Sequence, residues 1–184
     1  PLVIGQSARG SSVVVKINED RTSAWLITSA HILKNPFRNK TGHRRVILIF
    51  HHRLFARKRA NEMFPTARLN RCRNERGEVP SAWCSAFHSS FRWAKILKTD
   101  EERDLAYLEV SDPPKDVRIF TAANVSEVGP GRKIAVIGHG EGMLWSLSSG
   151  IISGIRDKYP MGSRAGTVIQ HQAPVAPGSS GGPL

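Results

Sequence analysis

Residues 177–184 read Pro177-Gly178-Ser179-Ser180-Gly181-Gly182-Pro183-Leu184. A hydroxyl is a weak nucleophile. To attack a carbonyl it needs exposure, a base, and donors for the oxyanion that it creates. Gly178 lets the backbone turn so that its own N–H and that of Ser180 point at one spot. Gly181 and Gly182 leave room for another chain to approach. By this spacing Ser180, and not Ser179, is placed as the nucleophile. A Gly/Ser turn leading into a strand is the plain alternative. The same letters satisfy the G-x-S-x-G nucleophile elbow, which sits on a strand-to-helix turn with its acid and histidine downstream. Gly182-Pro183 opposes a helix, so the partners are sought upstream, in the order His, Asp, Ser.

Upstream, Ala24-Trp25-Leu26-Ile27-Thr28-Ser29-Ala30-His31 is an apolar run ending in small residues and a histidine. One imidazole nitrogen must take the serine proton while a carboxylate holds the other. His31 at a strand end meets that need, although a lone histidine there is more often structural. Asp104 opens the apolar run Leu105-Ala106-Tyr107-Leu108-Glu109-Val110 and supplies the carboxylate. In isolation it reads as a strand-start aspartate. Asp100 and Asp112 are nearby rivals, but neither leads directly into a strand. Each signal alone is ordinary; the ordered combination carries the reading.

Around these residues the apolar runs are short and rich in β-branched side chains. Strands are expected at residues 12–17, 24–28, 46–50, 105–110, 133–137, 145–155 and 167–172. Gly129-Pro130-Gly131, Gly138-His139-Gly140 and Pro160-Met161-Gly162 serve as breakers. Many short strands between turn signals point to an all-β sandwich or barrel. No 3.6-residue period is sustained and no repeat is present. At 184 residues, 40% hydrophobic and 23% charged, the chain has an ordinary globular composition. No apolar run is long enough for a membrane-spanning helix.

The net charge is +12, and from Arg38 to Arg76 twelve basic residues face only Glu62 and Glu75, a local +10. The rest of the chain is close to neutral, so the basicity belongs to a segment and not to the scaffold. Residues 53–92 or so are basic, irregular and poor in strand signals. They read as a long inserted loop, with a short helix expected near 57–63. A solvated basic surface is its default role. Anionic lipid, polymer, nucleic acid or an acidic protein region are the partners that its charge could attract.

With the three residues in hand, the chain resembles the trypsin-like peptidases, and among them the HtrA/Deg-like branch. The histidine strand pattern is matched by Leu26 through His31. The aspartate strand is matched by Asp104 to Leu108, preceded by Ala94-Lys95-Ile96-Leu97-Lys98-Thr99-Asp100. Gly131 to Gly138 and Ser149 to Ser153 resemble the central strands, and Gln172 to Pro177 the run into the serine motif. The resemblance implies two antiparallel β-barrels of the chymotrypsin type, with the second barrel truncated at the C-terminus. It implies a serine endopeptidase with catalytic His31, Asp104 and Ser180, an oxyanion hole at Gly178 and Ser180, and no cofactor or metal. Ser179 stands where animal trypsin-like enzymes carry an Asp that pairs with a new N-terminus, so no activation by that ion pair is expected. Pro174, six before the nucleophile, and Val175 fall at the floor of the specificity pocket. Neither is charged, which implies a small or medium apolar residue before the scissile bond. Further strands, a terminal helix and any PDZ domain are expected beyond Leu184, and any targeting segment before Pro1.

Cys72 and Cys84, with eleven residues between them, are read first as a disulfide stapling the insertion, which suits an extracytoplasmic protein. Two free thiols come next. A zinc site of Cys72, Cys84 and His88 lacks a clear fourth ligand. His51-His52 reads as surface. Gly138-His139-Gly140-Glu141-Gly142 has the wrong spacing for a dinucleotide fingerprint and reads as a β-turn. The expected partner is a polypeptide substrate, and oligomerisation is left open. The competing reading is a catalytically idle protease-like fold that binds partners through the basic insertion.

Overall fold

The structure, a computed structural model, describes residues 1–51, 91–161 and 164–184. Ten strands run in the order β1 (Leu2–Ile4), β2 (Arg9–Ile17), β3 (Ser23–Thr28), β4 (Phe37–Arg38), β5 (Arg44–Ile49), β6 (Phe91–Asp100), β7 (Leu105–Ser111), β8 (Lys133–Gly138), β9 (Ser146–Met161) and β10 (Arg164–His171). The only helical pieces among the described residues are single 3-10 turns.

Six of the strands close on themselves. The first sheet runs β1-β2-β3-β7-β6-β5-β4, and β1 also pairs with β5, making a six-stranded antiparallel barrel with β4 appended to β5. Closure removes the unpaired edges that an open sheet would present. Strict alternation fills the interior. Ala24, Leu26 and Thr28 of β3, and Ala106, Leu108 and Val110 of β7, point inward and are almost completely buried. Val3, Val14, Val46 and Leu48 belong to the same cluster. Burying each of the larger side chains is worth roughly 1.5–3 kcal/mol. A second apolar cluster, Leu2, Ile4, Ile47, Ile49 and Leu144, covers part of the barrel's outer surface. Leu144 comes from the loop after β8.

The second sheet is β10-β9-β8. It is open, with Ile137, Leu147 and Ile151 partly exposed on it. The architecture is a closed barrel followed by a second antiparallel sheet, in keeping with the expected chymotrypsin-like double barrel.

The seven expected strands all form, with shifted ends. Trp145 was expected to open one of them, but it has φ +53° and stands outside β9. Pro160-Met161-Gly162 was expected to end a strand, yet β9 runs to Met161, with Pro160 opposite Ala165. Proline costs least at such a position near the end of a ladder. Strands β1, β4 and β6 were not anticipated. The first two have only three and two residues. β6 begins at Phe91, so Phe91 and Arg92, which the sequence reading assigned to the insertion, are strand residues. The expected helix near 57–63, Cys72, Cys84 and His88 lie outside the described residues.

Candidate active site

Register brings the key residues together. Ser12 of β2 is opposite Thr28 of β3, and Thr28 is opposite Ala106 of β7. This one row across the barrel lies three residues before His31 and two residues after Asp104, so the ends of two strands deliver both side chains to one rim. After Thr28 the chain enters a 3-10 turn, Ala30–Leu33, whose Ile32 and Leu33 are buried while His31 faces out.

Asp104 closes the tight turn between β6 and β7 with φ +53°, a left-handed conformation that Asp tolerates better than most residues. Its backbone C=O accepts the Ala30 N–H at 3.1 Å. Carboxylate Oδ1 accepts the His31 backbone N–H at 2.8 Å, and Oδ2 lies 2.7 Å from His31 Nδ1. An imidazole whose Nδ1–H donates to a carboxylate keeps the Nε2 lone pair free for a proton. Both side chains are 47% exposed, so the pair is open to an incoming ligand. The rival aspartates are engaged elsewhere: Asp100 with Arg103 in the β6–β7 turn and Asp112 with Arg92.

The serine loop docks on the same rim. Ser180 C=O accepts the Ser11 N–H at 2.7 Å, and Ser11 Oγ donates to Gly178 C=O at 2.9 Å. Buried Thr28 donates its hydroxyl to Ser11 C=O at 2.6 Å. Gly181 is pressed so close that a Cβ there would lie 2.3 Å from Ser11 O and 2.9 Å from Ser29 N, and Ser29 is two residues before His31. Ser180 itself is half-buried. No hydrogen bond joins its Oγ to His31 among the described residues.

Gly178 has φ +104°, and a Cβ on it would come within 2.4 Å of His139 O, so the position admits glycine alone. The Gly178 and Ser180 N–H groups meet no acceptor among the described residues. Both are therefore available to an oxyanion.

Beside Ser180 an open cavity of about 500 Å³ is lined by Val136, Ile169, His171, Val175 and Leu184, among others. Val175 thus shares a cavity with Ser180. Pro174 lies outside its lining, is exposed, and accepts the Ser148 hydroxyl at 2.6 Å through its carbonyl.

Two residues near the site were missed by the sequence reading. His171 lines the cavity with its Nδ1 buried and unpartnered among the described residues. His139 was read as part of a β-turn. It is only 3% exposed and abuts the serine loop, and burial pushes its imidazole down to about 3. Its flanking glycines, facing a second glycine-rich segment, were the available signal.

The chain has relatives among known proteins. Over 94 residues, half of this chain and 21% of the relative, the sequence is 33% identical to Protease Do-like 1, chloroplastic, of Arabidopsis thaliana. Over 98 residues, again half of this chain and 21% of the relative, it is 36% identical to Serine protease Do-like HtrB of Bacillus subtilis (strain 168). The matched part thus spans about a fifth of the length of these curated relatives. Among solved structures, Deg5 superposes with a TM-score of 0.61 at 17% identity, covering 99% of this chain and 72% of the other. The HtrA-type protease AlgW with tripeptide gives 0.60 at 19% identity, covering 98% and 44%. At such identities these structures speak for the fold alone. The family model described as "Trypsin-like peptidase domain" matches residues 10–184, nearly the whole chain, and the chain therefore belongs to that family.

Proposed function

We propose that this chain carries the catalytic centre of a serine endopeptidase. The observation that carries the proposal is the His31 Nδ1–Asp104 Oδ2 contact at 2.7 Å, on the rim where the Ser180 loop docks. In this reading His31 Nε2 takes the Ser180 proton as Oγ bonds to the scissile carbonyl carbon. The resulting oxyanion is held by the amides of Gly178 and Ser180. His31 then returns the proton to the leaving amine as the C–N bond breaks, and water hydrolyses the acyl-enzyme by the same steps in reverse order. Asp104 keeps the imidazole in the tautomer that this traffic requires.

Polypeptide is the substrate class we assign. Neighbouring structures are described as HtrA-type proteases with a decapeptide or a tripeptide, which supports it. The cavity beside Ser180, with the apolar side chains of Val136, Ile169 and Val175 in its wall, supports a small or medium apolar side chain before the scissile bond. Relatives are named as chloroplastic or periplasmic proteases, which supports a compartment outside the cytosol.

The test uses the complete protein and its Ser180→Ala variant, a fluorophosphonate probe and casein. Labelling and cleavage by the wild type, both lost in the variant, are expected. Equal labelling of the two proteins would remove Ser180 from its role. A wild type that neither reacts nor cleaves would favour a binding module.

A further inference from the structure

The turn at residues 138–142 and the loop at residues 177–180 interlock. The His139 carbonyl sits against the Gly178 backbone, and Glu141 N–H donates to Pro177 C=O at 2.9 Å. Gly138 and Gly140 flank Ser179 so closely that a Cβ on either would reach it at 3.0–3.1 Å. A displacement of the turn is therefore transmitted to the segment bearing both proposed oxyanion donors.

Backbone bonds from Gly142 N–H to His139 C=O at 3.0 Å and from Met143 N–H to Gly140 C=O at 2.9 Å close the turn, and the His139 side chain ties it to the residue that precedes β9. His139 is buried, and its Nδ1 lies 3.1 Å from the Trp145 backbone N–H. A backbone N–H can only donate, so Nδ1 carries its lone pair and the ring is neutral. Burial enforces that state by holding the imidazole far below its ordinary value of 6.5. The His139 ring meets Trp145 edge-to-face at 5.5 Å, and Trp145 meets His51 in the same way at 5.0 Å. Trp145 has φ +53°, an uncommon conformation for a bulky residue that persists only where its surroundings impose it.

We infer that His139 is a positioning residue for the oxyanion loop. As a neutral acceptor for the Trp145 amide, it fixes the turn whose carbonyl sets Gly178 and so aims the Gly178 and Ser180 N–H groups. This rests on the peptidase reading given above. The chemistry needs an acceptor at the Nδ1 position, while the ring also meets the Pro1 backbone carbonyl. Asparagine, which can present Oδ1 there, should serve, whereas an apolar ring should not.

The experiment compares the complete wild-type protein with His139→Phe, which keeps an aromatic ring but has no acceptor, and with His139→Asn. Peptide hydrolysis, fluorophosphonate inactivation rate and thermal midpoint are measured for each. His139→Phe is expected to lose about 100-fold in kcat, the size of a lost oxyanion donor, with KM within about twofold. Inactivation should slow in parallel. His139→Asn is expected to remain within about tenfold of wild type. Should His139→Phe not fold, His139→Leu takes its place. A folded Phe or Leu variant with wild-type kcat overturns the inference, as does an Asn variant as impaired as Phe. An inert wild type is a separate result that overturns the peptidase reading itself.

Discussion

Asp104 grips His31 twice, once through the backbone N–H to Oδ1 at 2.8 Å and once through Nδ1 to Oδ2 at 2.7 Å. The first bond fixes where the 3-10 turn begins and the second fixes the ring. One carboxylate therefore sets both the position and the tautomer of the imidazole.

Asp104→Asn separates these two duties. Asparagine accepts the left-handed φ of +53° and can still take the backbone N–H. However, it can present an amide N–H to Nδ1 and so favour the wrong tautomer. A loss of about 10³–10⁴-fold in kcat is expected, with a thermal midpoint close to wild type. Steady-state kinetics beside a melting curve checks both. Retention of more than a tenth of wild-type kcat would contradict the role.

At Gly178, Ala introduces a Cβ into a site with φ +104° and only 2.4 Å to His139 O. The loop must shift to relieve that contact, and the two amides shift with it. Gly178→Ala is expected to lower stability by roughly 1–3 kcal/mol and kcat by at least about 100-fold. Urea denaturation and turnover on a peptide substrate measure these. Normal turnover would mean that the Gly178 amide does not serve the reaction.

Leu108 lies inside the closed barrel with no exposed surface. Leu108→Ala removes part of a side chain that packs in the same cluster as Leu26, Val46 and Val110. A cost of about 2–5 kcal/mol is expected, measured as a fall in the denaturation midpoint. A shift below about 1 kcal/mol would mean that the barrel interior is not packed as described.

His139 couples stability to acid. The folded protein keeps the imidazole neutral down to about pH 3, while an unfolded chain binds a proton near 6.5. Between these values unfolding takes up a proton, so stability rises with pH through that window and falls on acidification. The loss attributable to His139 between pH 7 and pH 4 is on the order of 3 kcal/mol. His51, Asp116 and Arg118 line the same cavity of about 310 Å³ and are common to both proteins. The comparison is therefore between pH profiles of wild type and His139→Asn. The variant's profile should be flatter, and identical slopes would refute the assignment.

Much of the site was legible because its chemistry is written in short local patterns. Short apolar runs marked β3 and β7, and the residues flanking those strands were His31 and Asp104. The glycines around Ser180 marked a loop that had to bend sharply. Those features depend on near neighbours in the chain, which sequence displays directly. β1 and β4 escaped because three or two residues cannot show a period. β1 takes part of its stability from partners as distant as Ile47 to Ile49, and β4 from its short hairpin with Arg44 and Arg45.

What folding added is the meeting of residues that are far apart in sequence. Nothing local says that Thr28 is level with both Ser12 and Ala106, yet that row of the barrel brings the imidazole, the carboxylate and the serine loop to one rim. Nor does a Gly-His-Gly turn show that its histidine will be buried, neutral and wedged against Gly178. Residue types are chosen one position at a time, whereas register, burial and close approach belong to the packed chain as a whole. The types named the chemistry, and packing determined which groups meet to perform it.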